Sequence, residues 1–264
     1  QPESAEEPEG ADQPESAEEP KSADQQAAPA AAAPAASIPK NDKGNGFWGN
    51  TITVINNFAN TVLNLTLRDV KIDVSDTGSY WVEGKAALSV QGKGNVEIEL
   101  DGKNELKSGY DRAGLEKNTS TSTGTLTLKD DKEAGSGSLK ATGGKYGAGI
   151  GGGNYGSGEN ITITGGRVNA TGGWGSAGIG GGYLGDGKNI TITGGTVTAK
   201  GRLGGAGIGG GEQGNGEDIT ITDGTVNAAG GVSGAGIRRQ CQWHRQQGHR
   251  ERSRSGDSDR RQER

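Results

Sequence analysis

Three stretches decide the fold: AGIGGGNYGSGENITITGGRVNATGG at 148–173, AGIGGGYLGDGKNITITGGTVTAKG at 177–201 and AGIGGGEQGNGEDITITDGTVNAAGG at 206–231. AGI recurs at 148–150, 177–179, 206–208 and 235–237. ITI recurs at 161–163, 190–192 and 219–221, and valine at 168, 197 and 226, always 29 residues apart. A fixed period of this length marks a stacked repeat. Each unit holds three short alternating segments separated by glycines, which predicts three strands per coil. Stacked in register, the units form inward columns of Ile150, Ile179, Ile208 and Ile237, of Ile161, Ile190 and Ile219, and of Val168, Val197 and Val226. Ala148, Ala177, Ala206 and Ala235 make a narrow column beside the first. The predicted fold class is all-β, a parallel β-solenoid of 29-residue, three-strand coils. Glycine fills 38 of the 103 positions from 135 to 237. In a helix each would cost about 1 kcal/mol relative to alanine, so helix is excluded.

The same plan runs upstream in degenerate form over 86–147. Ala86-Ala-Leu-Ser-Val90 and Ala113-Gly-Leu-Glu-Lys117 stand where Ala148-Gly-Ile150 stands. Val96 to Leu100 and Leu126 to Leu128 match the ITI segment, and Leu106 and Leu139 the valine column. Spacings of 27 and then 35 residues predict loops of unequal length. Residues 41–85 are read as an N-terminal cap and the first irregular coils, with Phe47, Trp48 and Phe58 covering the open end. The regular repeats occupy 148–237.

The flanks differ in composition. Residues 1–40 hold all seven prolines, a tandem QPESAEEPEGAD/QPESAEEPKSAD repeat, and nine acids against two lysines. So acidic and Pro/Ala-rich a stretch buries too little apolar surface to offset its ordering entropy, and a disordered linker or stalk is expected. Residues 238–264 carry nine arginines, Cys241, His244 and His249, and break the repeat immediately after Ile237. Read one base later, Trp243-His244 yields a glycine aligned with Gly214, and Gly248-His249-Arg250 can yield Val-Thr-Val aligned with Ile219-Thr220-Ile221. The tail is therefore expected to be a frameshift product and not a nucleic-acid-binding arm. The true C-terminus, with any wall anchor, is expected to be lost, leaving an open coil edge prone to self-association. The chain lacks methionine, so Gln1 is not a translation start, and a processed product or fragment is expected, any signal peptide lying outside it. No apolar run approaches the roughly 20 residues that span a bilayer as a helix, and no membrane insertion is expected.

Residues 41–237 contain neither histidine nor cysteine. This removes His- and Cys-based nucleophilic sites and His- or thiolate-ligated zinc. The glycine runs lack the GK(S/T) ending of a phosphate-binding loop. Asp69, Asp73, Asp76, Asp101, Asp111 and Arg112 are the groups a polysaccharide lyase could draft, but a non-enzymatic protein is the expectation. Asn160, Asp186, Asn189, Glu217 and Asp218 recur in the repeat loops as oxygen donors that suit Ca²⁺. An asparagine ladder along the stack accounts for the same column. Tyr146, Tyr155, Trp174 and Tyr183, with Asn154 and Glu159, lie in loops flanking AGIGGG. Flat aromatic faces beside amide and carboxylate groups suit a glycan. Thr162, Thr164, Thr191, Thr193, Thr220 and Thr222 form outward ranks like those of ice-binding surfaces, although threonine also suits any exposed strand.

The GAGIGGG…ITITGG units over about 62–237, preceded by AALSV…NVEIELDGKNELKSG, resemble bacterial cell-surface β-helix proteins described as carbohydrate-binding domain-containing, and adhesin-like arrays of Gram-positive bacteria. The resemblance implies a right-handed parallel β-helix and an extracellular, secreted or wall-attached location. It further implies binding of acidic polysaccharide or host and cell-wall glycan, with possible calcium. No catalytic motif carries over. A structural surface spacer is the runner-up.

Overall fold

A computed structural model describes residues 46–131 and 136–237; the predicted stalk at 1–40 and the frameshift tail at 238–264 lie outside them. The described chain winds through six coils of three strands. The first comprises β1 (Ile52–Ile55), β2 (Val62–Arg68) and β3 (Lys71–Asp73). The second comprises β4 (Leu88–Gln91), β5 (Asn95–Asp101) and β6 (Lys103–Lys107). The third comprises β7 (Leu115–Glu116), β8 (Leu126–Lys129) and β9 (Ser138–Thr142). The regular coils follow: β10 (Ile150–Gly151), β11 (Gly158–Ile163), β12 (Arg167–Thr171); β13 (Ile179–Gly180), β14 (Gly187–Ile192), β15 (Thr196–Lys200); β16 (Ile208–Gly209), β17 (Gly216–Ile221), β18 (Thr225–Ala229). Corresponding strands stack into three six-stranded sheets, β1-β4-β7-β10-β13-β16, β2-β5-β8-β11-β14-β17 and β3-β6-β9-β12-β15-β18, every adjacent pair parallel.

The inward columns are those read from the repeat. Ile150, Ile179 and Ile208 align with one another and with Leu115 and Leu88. Ile161, Ile190 and Ile219 align with Leu126 and Val96. In the middle coils these side chains are buried. Gly151 and Gly180 show why the corners reject side chains. Their φ values are +130° and +126°, and a Cβ would stand 2.1 Å from the carbonyl oxygens of Gly180 and Gly209 in the next coil. Only glycine allows both that backbone conformation and that approach.

Two expectations need correction. Leu106 does not continue the valine column: it pairs with Ala141, and Asn104 faces Leu139 and hence Val168. The shift is two residues, so the inward face is kept while the column changes. Asn104 earns the place by its hydrogen bonds, donating from Nδ2 to the carbonyls of Leu67, Asp101 and Ser138 and accepting at Oδ1 from the Val70 amide. At the N-terminal end, Trp48 extends the third sheet by bridging to Ile72 and packs on the core, but Phe58 stands in solvent and covers nothing. Its backbone instead serves a turn, closed by Thr61 and Asn56. At the far end the core opens: Ile219 and Val226 are only half-buried, and Ile221 and Ile237 are 38% and 42% exposed.

Candidate functional site

The strands β7, β10 and β13 are two residues long, so the corner entering each lies beside the corner leaving it. Backbone bonds knit these corners across coils: Asn154 N donates to Asp111 O (2.7 Å), Tyr183 N to Tyr146 O (2.9 Å), and Tyr155 N to Tyr183 O (2.8 Å). Residues from four successive coils therefore converge on one cleft of about 380 Å³, lined by Tyr80, Tyr110, Asp111, Tyr146, Asn154, Tyr155 and Tyr183. All five tyrosines of the chain are among them. The volume lies within the range of small-ligand sites.

The rings form a run. Tyr110 meets Tyr146 edge to face at 5.7 Å, Tyr146 meets Tyr183 at 5.1 Å, and Tyr183 meets Tyr155 at 6.1 Å. Tyr155 stays largely exposed. Asp111, Tyr146 and Tyr155 hold left-handed φ values of 68°, 71° and 57°, a conformation uncommon for bulky side chains. Lys145 extends its ammonium over the rings of Tyr110 and Tyr146, 5.5 and 5.1 Å from their centroids. The Tyr110 hydroxyl, Asp111 Oδ1 and Asn154 Oδ1 are shielded from solvent and make no hydrogen bond to protein.

Burial raises the Asp111 carboxyl above its ordinary range, with Glu83 adding to the rise and Asn154, Lys145 and Arg112 opposing it. Burial likewise raises the Tyr110 phenol, against the pull of Lys145. Desolvation lowers the Lys145 ammonium, but the phenols of Tyr110 and Tyr146 reverse this and leave its pKa raised. The rim is a small hairpin in which Ser79 and Val82 exchange backbone bonds, with Trp81 87% exposed and edge-on to Tyr80. Glu83 at its base pairs with Arg112 (2.8 Å), which also grips the buried Glu116.

Of the residues expected to hold a glycan, Tyr146, Asn154, Tyr155 and Tyr183 are brought together here. Trp174 and Glu159 are not. Trp174 stands half-exposed one coil on, and the Tyr183 ring fills the space next to it, where a Cβ on Gly175 would lie 2.5 Å from Tyr183 Cδ2. Glu159 lies on β11, where its charge acts on Lys117 and Lys188. Tyr80, Tyr110 and Asp111 were missed as ligand groups. Laying Tyr110-Asp111-Arg112-Ala113 over Lys145-Tyr146-Gly147-Ala148 would have found two of them; Tyr80 sits in an insertion with no counterpart.

Several residues expected for calcium make bonds within the stack, and Asp218 is known by its backbone conformation. Asn160, Asn189 and Asp218 have φ of 57°, 49° and 51°, and asparagine and aspartate tolerate that region best after glycine. Asn189 Nδ2 donates to Asn160 Oδ1 (3.1 Å), one rung of the ladder expected along this column. Asp186 Oδ1 accepts from the Asn215 amide, and Asp186 and Glu217 flank the Lys188 ammonium at 3.9 and 3.2 Å. Among the described residues no three acids, histidines or cysteines are grouped to hold a metal. The groups a lyase could draft are tied up too. Asp101 pairs with Arg68, Asp73 with Lys107 and Ser75, and Asp69 accepts the Lys103 amide; Asp111 alone lines the cleft.

Comparison with known proteins agrees with the architecture. A family model described as a β-helix repeat matches residues 161–183, 190–212 and 219–237, each window opening on an ITI segment. No curated protein and no solved structure matches the chain. The coils and sheets define a parallel β-solenoid, and its regular coils match a β-helix repeat.

Proposed function

We propose that the protein is a non-enzymatic carbohydrate-binding module of the bacterial cell exterior, secreted or wall-attached, and that the tyrosine cleft is its glycan site. One observation carries this reading: every tyrosine of the chain converges on a single cleft that also holds three buried polar atoms without protein partners. Sugar rings offer apolar faces to aromatic rings and hydroxyls to carboxylate and amide oxygens, which is the complement of such a lining. The open cleft is one that a chain end or side branch of a polysaccharide can enter.

An acidic polymer has separate support on the third sheet. A groove of about 280 Å³ there is lined by Lys71, Lys103, Glu105, Lys140 and Arg167, and among the described residues only Lys140 of these cations is ion-paired, with Glu105 at 2.8 Å. Three cations along one sheet with no ion pair among the described residues suit a carboxylated chain laid across the coils.

Retention of the full chain on immobilised neutral and acidic polysaccharides tests the proposal. Tyr183→Ala should weaken binding about tenfold or more, and Trp174→Ala, outside the cleft, should leave it unchanged. Equal retention of both variants, or no retention of the unaltered protein on any glycan, would overturn it.

A further inference from the structure

The glycan reading leaves open which sugar the cleft selects, and the inference below rests on that reading. We infer that the tyrosine cleft receives a protonated amino group, carried on a 2-amino sugar residue, with Asp111 as its counter-ion.

The unpartnered atoms set the requirement. Asp111 Oδ1 and Asn154 Oδ1 are acceptors, shielded from solvent and unbonded within the protein. A carboxylate can only accept, so the ligand has to bring donors. Leaving such acceptors unpaired costs roughly 1–3 kcal/mol each, more when charged. A neutral sugar hydroxyl supplies a donor, but it leaves the carboxylate charge uncompensated when the ligand displaces the remaining water. A cation meets both needs.

The protein's own cations do not fill this role. Arg112 is held between Glu83 and Glu116. Lys145 makes no ion pair with Asp111, its ammonium lying instead over the Tyr110 and Tyr146 rings. That placement is the second argument, because the electron-rich faces of this cleft already attract an ammonium from the protein itself. A ligand ammonium seated against Tyr110, Tyr146 and Asp111 would meet the same faces plus a carboxylate. A ligand carboxylate there would face Asp111 and the ring faces, both repulsive. Burial raises the Asp111 carboxyl even though the Asn154 side chain and the charges of Lys145 and Arg112 oppose the rise.

The lining also explains why a sugar amine suits the cleft better than a bare ammonium. Tyr155 and Tyr183 extend the aromatic run, giving a ring face something to lie on while the amine meets Asp111.

The test uses the full chain and titration calorimetry with three oligosaccharides near neutral pH: glucosamine with its amine free, the same oligomer N-acetylated, and galacturonate. The free-amine oligomer should bind at least about tenfold tighter than the other two. Asp111→Asn is the informative variant, since asparagine keeps the size and accepts the left-handed backbone at position 111. In it the preference for the free amine over the N-acetylated oligomer should collapse to less than about threefold, whatever the change in overall affinity. Equal or tighter binding of the N-acetylated or galacturonate oligomer by the unaltered protein would overturn the inference while leaving the glycan reading intact. Retained amine preference in Asp111→Asn would do the same. Failure of all three oligomers to bind would overturn the inference, and the glycan reading would fall with it only if the protein is also retained on no immobilised polysaccharide.

Discussion

The two halves of the solenoid are built to one plan and put to different uses. From Ala148 on, the AGIGGG and ITI segments recur in register, and many corners set glycine against backbone. Before it, coils of unequal length bury Asn56, Asn104, Glu116 and Lys117 where the regular coils carry small or apolar residues. The tyrosine cleft and the cationic groove draw most of their lining from the irregular half or its boundary. Regular coils bring backbone against backbone through glycine, as at Gly151 and Gly180. Departures from the repeat open the gaps and supply polar atoms. In this molecule chemistry gathers where periodicity fails.

That contrast can be broken by substitution. The largest effect is expected at a regular corner: Gly180→Ala combines a φ of +126° with a Cβ 2.1 Å from Gly209 O and should cost about 4 kcal/mol in urea unfolding. Gly46→Ala, where φ is +79° and nothing lies within 4 Å, should cost about 1 kcal/mol. Similar losses at both sites would mean that the corners tolerate side chains. Next comes the hydrophobic column. Ile190→Ala should lose about 3 kcal/mol, and Ile219→Ala, at the same position in the half-open last coil, about 1 kcal/mol. Equal losses would show that the last coil is covered in solution.

Lys117 sharpens the comparison by pH. It occupies the column that Gly152 and Gly181 hold in the regular coils, is fully buried, and donates to Ser122 O at 3.1 Å. Desolvation lowers its pKa to about 8, with Glu159 opposing. The folded state thus releases this proton before the unfolded chain does. The penalty is full below about pH 8 and is relieved as pH rises toward the unfolded value. Stability should rise by about 2 kcal/mol between pH 7 and pH 10 from this group, and Lys117→Met should lack that increment. Parallel pH profiles for the two proteins would show that Lys117 keeps its charge in the fold.

The smallest effect concerns the asparagine column. Asn189→Ala should cost about 1 kcal/mol for the left-handed backbone, whereas Asn189→Gly should be neutral within about 0.5 kcal/mol. A larger loss in Asn189→Gly, present only when calcium is supplied, would place calcium at this column.

Legibility followed the same divide. Ile150, Ile161 and Val168 could be placed inward from spacing alone, because a 29-residue period and a period of two within each strand act together. Leu106 was misplaced because a shift of two residues leaves the inward face unchanged, so alternation cannot detect it. What decided the register was the set of hydrogen bonds that Asn104 makes to Leu67, Asp101, Ser138 and Val70. Tyr146, Tyr155 and Tyr183 could be recognised as loop aromatics, whereas Tyr80 and Tyr110 lay in coils whose lengths obscure the alignment.

By itself, the sequence determined the solenoid, its three strands per coil, the inward columns of the regular half and the absence of His and Cys chemistry from 41–237. Each of these is a local pattern repeated, and stacking adds nothing to its meaning. Tertiary structure alone decided which aromatics meet. Two-residue strands set the corners before and after them side by side, and unequal loops carry Tyr80, Tyr110 and Asp111 to residues far along the chain. Convergence of that kind depends on distances across coils, which no window of sequence contains.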